Sequence, residues 1–144
     1  DSTKPLKFEC GGGCAVSTAG DYIRFAQRLQ NRGRLGKARI LAPRTVAYMT
    51  ADHMGPEIQN NVARTASTLE GFGFGLTVAV RKQAGVAGIM GAPGDFTWGG
   101  AYGTNFWVDP QDELSVVFMA HAPGEIRTHY RQLLSAFVMQ SLNK

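Results

Sequence analysis

The thirty residues from Gly91 to Ala120 constrain the fold of this chain more than any other stretch. Glycines at 99, 100 and 103 interrupt sequence that is otherwise aromatic and β-branched. A glycine inside a strand costs stability unless another backbone or a ligand must come close there. Trp98-Gly99-Gly100-Ala101 is therefore either the edge of a binding site or a β-bulge that carries no ligand, and the pattern alone leaves both open.

The flanking residues read as a meander. Phe96 to Trp98 and Thr104 to Val108 are strand-like, and Asp109-Pro110 places an acid and a proline at the first two positions of a type I turn. The chain then reverses into Leu114 to Ala120, an almost continuous apolar run that suits a central strand buried on both faces. Pro123-Gly124 closes it. A terminal helix opens at Glu125, with Ile126, Tyr130, Leu133, Leu134, Phe137 and Val138 on its apolar stripe and Arg127, Arg131 and Gln132 on the wet side.

Residues 1 to 14 read as an extended entry segment ending in a turn at Gly11-Gly12-Gly13, which lacks the Lys-Ser/Thr ending of a phosphate-binding loop. A helix follows from Ser17. Thr18 is its N-cap, Asp21 can bond back to the cap N–H, and Tyr22, Phe25, Ala26 and Leu29 form one stripe. Gly33 supplies the left-handed stop. After a short basic connector, Pro43 fits the first position of a second helix running to about Ala51, though Ala42 is a poor cap. Residues 52 to 71 read as a long surface loop. Phe74, Leu76, Val78 and Val80 alternate as in one half-buried strand, and Val86 to Gly91 is open between weak strand and loop. Helix, helix, antiparallel strands and helix in that order argue α+β architecture, with helices packed on an antiparallel sheet.

Composition removes several classes. At 44% hydrophobic and 18% charged residues the chain is expected to be a soluble globular one, not disordered. Its net charge of +4 is spread over Arg24, Arg28, Arg32, Arg34, Lys37, Arg39 and Arg44 among apolar residues, which argues against a nucleic-acid partner. No stretch reaches the roughly 20 apolar residues of a membrane span, and no apolar run behind Asp1 suggests a leader; localisation stays open between cytoplasm, periplasm and secretion. Cys10 and Cys14 lack the further ligand pair a metal site needs and read as free thiols, so no metal is expected. His53, His121 and His129 read as surface residues, and Phe106, Trp107 and Phe118 as packing between sheet and helix.

Several segments together carry a family likeness: Gly11 to Tyr22, Leu41 to Val46, Met49 to His53, Gly73 to Leu76, and above all Trp98-Gly-Gly-Ala-Tyr-Gly-Thr104 with Trp107-Val-Asp-Pro110. In this order, over about residues 8 to 140, the sequence resembles the C-terminal part of the class C β-lactamase-like (penicillin-recognising) serine hydrolases. The resemblance implies one partial domain over 1–144, with a helical part at 18–51 and the sheet plus C-terminal helix at 72–144. It also implies that Trp98, Gly99 and Gly100 take the family's third motif, with Trp98 as an apolar wall and Tyr102 beside it. The Ala101 N–H is then the edge-strand half of an oxyanion hole serving a small ester or amide substrate, with no cofactor.

The family's Ser-x-x-Lys and Tyr-x-Asn elements are not matched. Ser141-Leu-Asn-Lys144 is a chance match at the chain end, no tyrosine is followed two residues on by asparagine, and no Gly-x-Ser-x-Gly elbow occurs. The expectation is a C-terminal fragment of a larger hydrolase, inactive alone, whose uncovered sheet edge is paired with the missing N-terminal part or with another copy. The alternative is a non-catalytic β-lactamase-like binding or structural module.

Overall fold

The computed structural model describes residues 15–142. The entry segment, the Gly11-Gly12-Gly13 turn, Cys10, Cys14 and Lys144 lie outside the described residues. Helix α1 (Ala19–Gln30) is capped by Thr18, whose Oγ1 accepts the Asp21 N–H at 3.1 Å. The Asp21 carboxylate accepts the Thr18 hydroxyl at 3.0 Å rather than reaching the cap N–H. Ala26 and Leu29 are buried, Tyr22 is half-buried, and Phe25 lies at the exposed margin of the same stripe. Gly33 stops the helix at φ +89°, and its N–H donates to Arg28 O.

The connector that follows is a small antiparallel hairpin, β1 (Arg34–Leu35) with β2 (Ala38–Arg39). Helix α2 (Pro43–Met49) starts at its proline and has no side-chain cap at Ala42. The long loop after it is more ordered than its composition suggests. Two 3₁₀ turns, Val62–Arg64 and Ser67–Leu69, bury Val62, Thr68 and Leu69. Asn60 ties them to the sheet by donating to Phe72 O at 2.7 Å and accepting the Val62 N–H at 3.1 Å.

Five strands form an antiparallel meander in sequence order: β3 (Phe72–Phe74), β4 (Ala79–Arg81), β5 (Phe96–Gly99), β6 (Asn105–Asp109) and β7 (Leu114–Phe118). The single strand expected across Phe74 to Val80 is a hairpin instead. The Gly75 N–H donates to Val78 O, and Thr77 takes φ +77°, an unusual conformation for a β-branched residue, so the period of two continues across a turn and leaves Leu76 exposed. Residues 86–91 are turns and loop. At the next reversal, Asp109 Oδ1 accepts the N–H groups of Gln111 and Asp112, the bonding that its place at the start of the turn predicts.

Helix α1 packs on β6 and β7, and one core joins Ala26, Leu29 and Val46 to Val78, Val80, Phe96, Phe106 and Val108. Each fully buried large side chain there is worth about 1.5–3 kcal/mol. Helix α3 (Ile126–Gln140) lies against the opposite face, beside a second cluster of Val62, Leu69, Phe72, Ala79 and Ala87.

Two expectations are corrected here. β7 is the last strand of the sheet among the described residues, not a central one, and all five of its residues are only half-buried, because nothing pairs with its outer edge. The orientation of α3 also departs from that expected, although Leu134 and Val138 are half-buried and Gln132 is exposed, as their places on the stripe and on the wet side predict. Arg127 and Arg131 turn toward the protein, while Ile126, Tyr130, Leu133 and Phe137 are 48%, 42%, 41% and 61% exposed. Backbone carbonyls of the turn between β5 and β6 accept bonds from the two guanidinium groups and draw that side of the helix inward.

Candidate functional site

The end of β5 is placed by a buried ion pair at its start. Arg81 Nε lies 3.2 Å from Asp95 Oδ2, and the Ala92 N–H donates to the same oxygen at 3.0 Å. Burial and the nearby Asp109 carboxylate push the Asp95 carboxyl up to about 6, against the pull of the Ala92 N–H and Arg81. Gly91, at φ +148°, sits where a Cβ would meet Asp95 Oδ2 at 2.3 Å and Arg81 Nη2 at 2.6 Å. The close approach at this glycine is therefore made by the ion pair.

Beyond that anchor β5 outruns its neighbour. Its ladder with β4 ends at Thr97 opposite Ala79, whereas its ladder with β6 continues through Trp98 opposite Phe106 to Gly99 opposite Asn105. Backbone groups alternate between the two sides of a strand. The Gly100 N–H is committed to Thr104 O at 2.8 Å on the β6 side, so the Ala101 N–H falls on the side that β4 has left. Among the described residues no group accepts from that N–H.

Residues 100–103 form a β-turn closed by the Gly103 N–H on Gly100 O, and the Ala122 N–H docks on Tyr102 O. Gly103, at φ +114°, lies so close to the 120–122 backbone that a Cβ would be 2.8 Å from Ala122 N.

Trp98, Gly99, Gly100 and Ala101 line a cavity of about 170 Å³ with Thr65, Ala66, Leu69, Arg127 and Arg131. Trp98 meets Phe74 edge-on at 5.1 Å and also lines a neighbouring hollow of about 200 Å³ toward α1 and α2. Trp98 thus borders both spaces. Tyr102, two-thirds exposed, is turned away from the cavity lining and stacks on His121 at 5.7 Å. The residues singled out from sequence are therefore together at one turn, with Tyr102 at its outer side.

The glycines have a partly internal explanation. A Cβ on Gly99 would lie 2.6 Å from Arg131 Cζ, and one on Gly100 would lie 2.2 Å from Thr104 Oγ1. Arg131 Nη2 donates to Gly100 O at 2.7 Å and to Thr104 O at 2.8 Å, and Arg127 Nη1 donates to Ala101 O at 2.6 Å. Burial, and then the charge of Arg127, lower the Arg131 pKa from its ordinary value, yet the group stays cationic. The apolar stripe of α3 predicts both arginines in solvent, and the structure turns both inward. Their one legible signal is the spacing of four residues on a single helix face. The described residues contain no group of three His, Cys, Asp or Glu side chains able to hold a metal ion.

A model of the Beta-lactamase family matches residues 2–136. The uncharacterized protein MT1414 and protein Rv1367c, both of Mycobacterium tuberculosis, are each 33% identical over 123 residues. The match takes in 83% of this chain and 31% of either relative, so the chain spans less than a third of their length. Among solved structures, EstCE1, described as a hydrolase with promiscuous acyltransferase activity, superposes with a TM-score of 0.67 at 30% identity, over 83% of this chain and 29% of its own. Simvastatin synthase (LovD) from Aspergillus terreus gives a TM-score of 0.68 at 16% identity, over 87% of this chain and 34% of its own, a likeness of fold.

Proposed function

The chain belongs to the Beta-lactamase family, and from that premise we propose that it supplies the edge-strand side of a serine-hydrolase active site. The substrate is an ester or amide that passes through an acyl-enzyme, and the Ser-x-x-Lys and Tyr-x-Asn elements come from polypeptide beyond these 144 residues. In such a reaction a serine activated by a neighbouring base attacks the carbonyl carbon. The oxygen takes the negative charge, and two backbone N–H groups receive it. The Ala101 N–H is one of these donors. Trp98, with Gly99 and Gly100, forms the wall along which the acyl or alkyl group lies, an apolar surface better matched to a hydrocarbon than to a charged group. EstCE1, a hydrolase by its description, supports the ester reading.

The observation that carries this reading is the uncommitted Ala101 N–H beside Trp98, on the strand edge that β4 vacates. Activity-based labelling tests it. A fluorophosphonate probe should label the full-length gene product at a serine outside this chain and leave the isolated 144 residues unlabelled. Labelling of a serine within the chain would overturn the division of labour. No labelling and no p-nitrophenyl ester turnover in the full-length product would overturn the hydrolase reading in favour of a non-catalytic module.

A further inference from the structure

We infer that Arg131 is the positioning residue for the oxyanion donor: it fixes and polarises the Gly100–Ala101 peptide unit whose N–H faces the reacting oxygen. The inference rests on the hydrolase reading for its catalytic consequence and on geometry alone for the clamp.

The carbonyl of Gly100 and the N–H of Ala101 belong to one planar trans amide, so they point in opposite directions and turn together. The structure contains no cis peptide bonds among the described residues. Arg131 Nη2 holds that carbonyl at 2.7 Å and the Gly103 N–H shares it at 3.2 Å. The same Arg131 nitrogen holds Thr104 O at 2.8 Å, which also accepts the Gly100 N–H. One guanidinium therefore ties both ends of the turn and aims the Ala101 N–H away from itself, toward the open edge.

A cation on the carbonyl also withdraws electron density across the amide and makes its N–H a stronger donor, as linked hydrogen bonds in a low-dielectric setting do. Gly99 is required because the guanidinium occupies the place of its side chain. Arg127 does something different. It holds Ala101 O, which belongs to the next peptide unit, that of the Tyr102 N–H.

This difference supplies the test. In ¹H–¹⁵N spectra of the chain, Arg131→Met should move the Ala101 amide proton upfield and leave Tyr102 nearly in place, whereas Arg127→Met should do the reverse. In the full-length gene product, Arg131→Met should lower kcat for a p-nitrophenyl ester about 10–100-fold with KM little changed, a share of what losing an oxyanion donor outright costs. Added guanidinium ion should restore part of the activity of Arg131→Ala. If Arg131→Met fails to fold, Gly99→Ala, which displaces the guanidinium without deleting it, should give the same Ala101 shift and the same kcat loss. An unmoved Ala101 amide overturns the clamp, and a moved amide with unchanged kcat overturns its role in catalysis. Absence of turnover in the unsubstituted full-length product overturns the hydrolase reading, while the amide shifts still decide the clamp.

Discussion

The Asp52 carboxylate fills the place that a side chain on Gly73 would take: a Cβ there would lie 2.3 Å from Oδ1. That oxygen accepts the N–H groups of Met54 and Phe74, and Oδ2 pairs with Lys82 Nζ at 2.7 Å. Two family-like segments, Met49 to His53 and Gly73 to Leu76, are thus two halves of one contact. Gly75 repeats the device one pleat on: its absent side chain makes room for Met49 O, which accepts the Leu76 N–H.

Asp52→Ala should destabilise the chain by roughly 1–3 kcal/mol in urea unfolding, because partly buried donors lose their acceptor. Burial alone would raise the Asp52 carboxyl, but Lys82 and the two N–H groups outweigh it and hold the group below its usual range. Its contribution is therefore present above the unfolded value of about 3.9 and is lost as the pH falls through the lower folded value. Between pH 5 and 3 the native chain should lose more stability than Asp52→Asn. Equal losses would count against the assignment.

Asp95 has the opposite sign. With its carboxyl pushed up to about 6, the folded state holds the proton more tightly than the unfolded chain does. Stability falls as the pH rises from about 4 to about 6 and then levels, by at most about 3 kcal/mol. Asp95→Asn should remove that slope. A native chain that gains stability over this window relative to Asp95→Asn would mean that pairing with Arg81 outweighs burial.

Gly99→Ala should cost roughly 1–3 kcal/mol, the usual penalty for an inserted methyl with no room. Combined with Arg131→Met the two losses should add to less than their sum, since the second change vacates the space the first requires. Additive losses in urea midpoints would separate the two residues.

Trp98→Ala should enlarge the space in the hollows of about 170 and 200 Å³ that Trp98 lines. In the full-length gene product this should shift kcat/KM from short toward longer or branched acyl esters. An unchanged chain-length profile would remove Trp98 from the substrate wall.

Among the described residues the outer edge of β7 presents unpaired backbone groups, and Ile126, Tyr130, Leu133 and Phe137 form an exposed apolar stripe; proteins usually cover both kinds of surface. Sedimentation velocity of the isolated chain should show species larger than monomer. Leu133→Glu with Phe137→Glu should shift the distribution toward monomer, whereas a native chain that is already monodisperse and monomeric would contradict the expectation.

Local rules determined much of this molecule. The Thr18 cap, the Gly33 stop, the proline start of α2, the Asp109 turn and the strands on either side of Gly100 follow from residues within a few positions of each other, and so does the grouping of Trp98 to Ala101. Tertiary structure alone decided three further features. Which side of α3 faces inward was settled by carbonyls of the β5–β6 turn that accept from Arg127 and Arg131, a partnership that is invisible in the helix's own periodicity. The edge position of β7 depends on which strands are present to pair with it, whatever its own apolarity. The purpose of Gly73, Gly91 and Gly99 was settled by Asp52, by the Asp95–Arg81 pair and by Arg131, side chains 4 to 32 positions away in the sequence. A glycine reveals that something comes close. Only the packed chain reveals what it is.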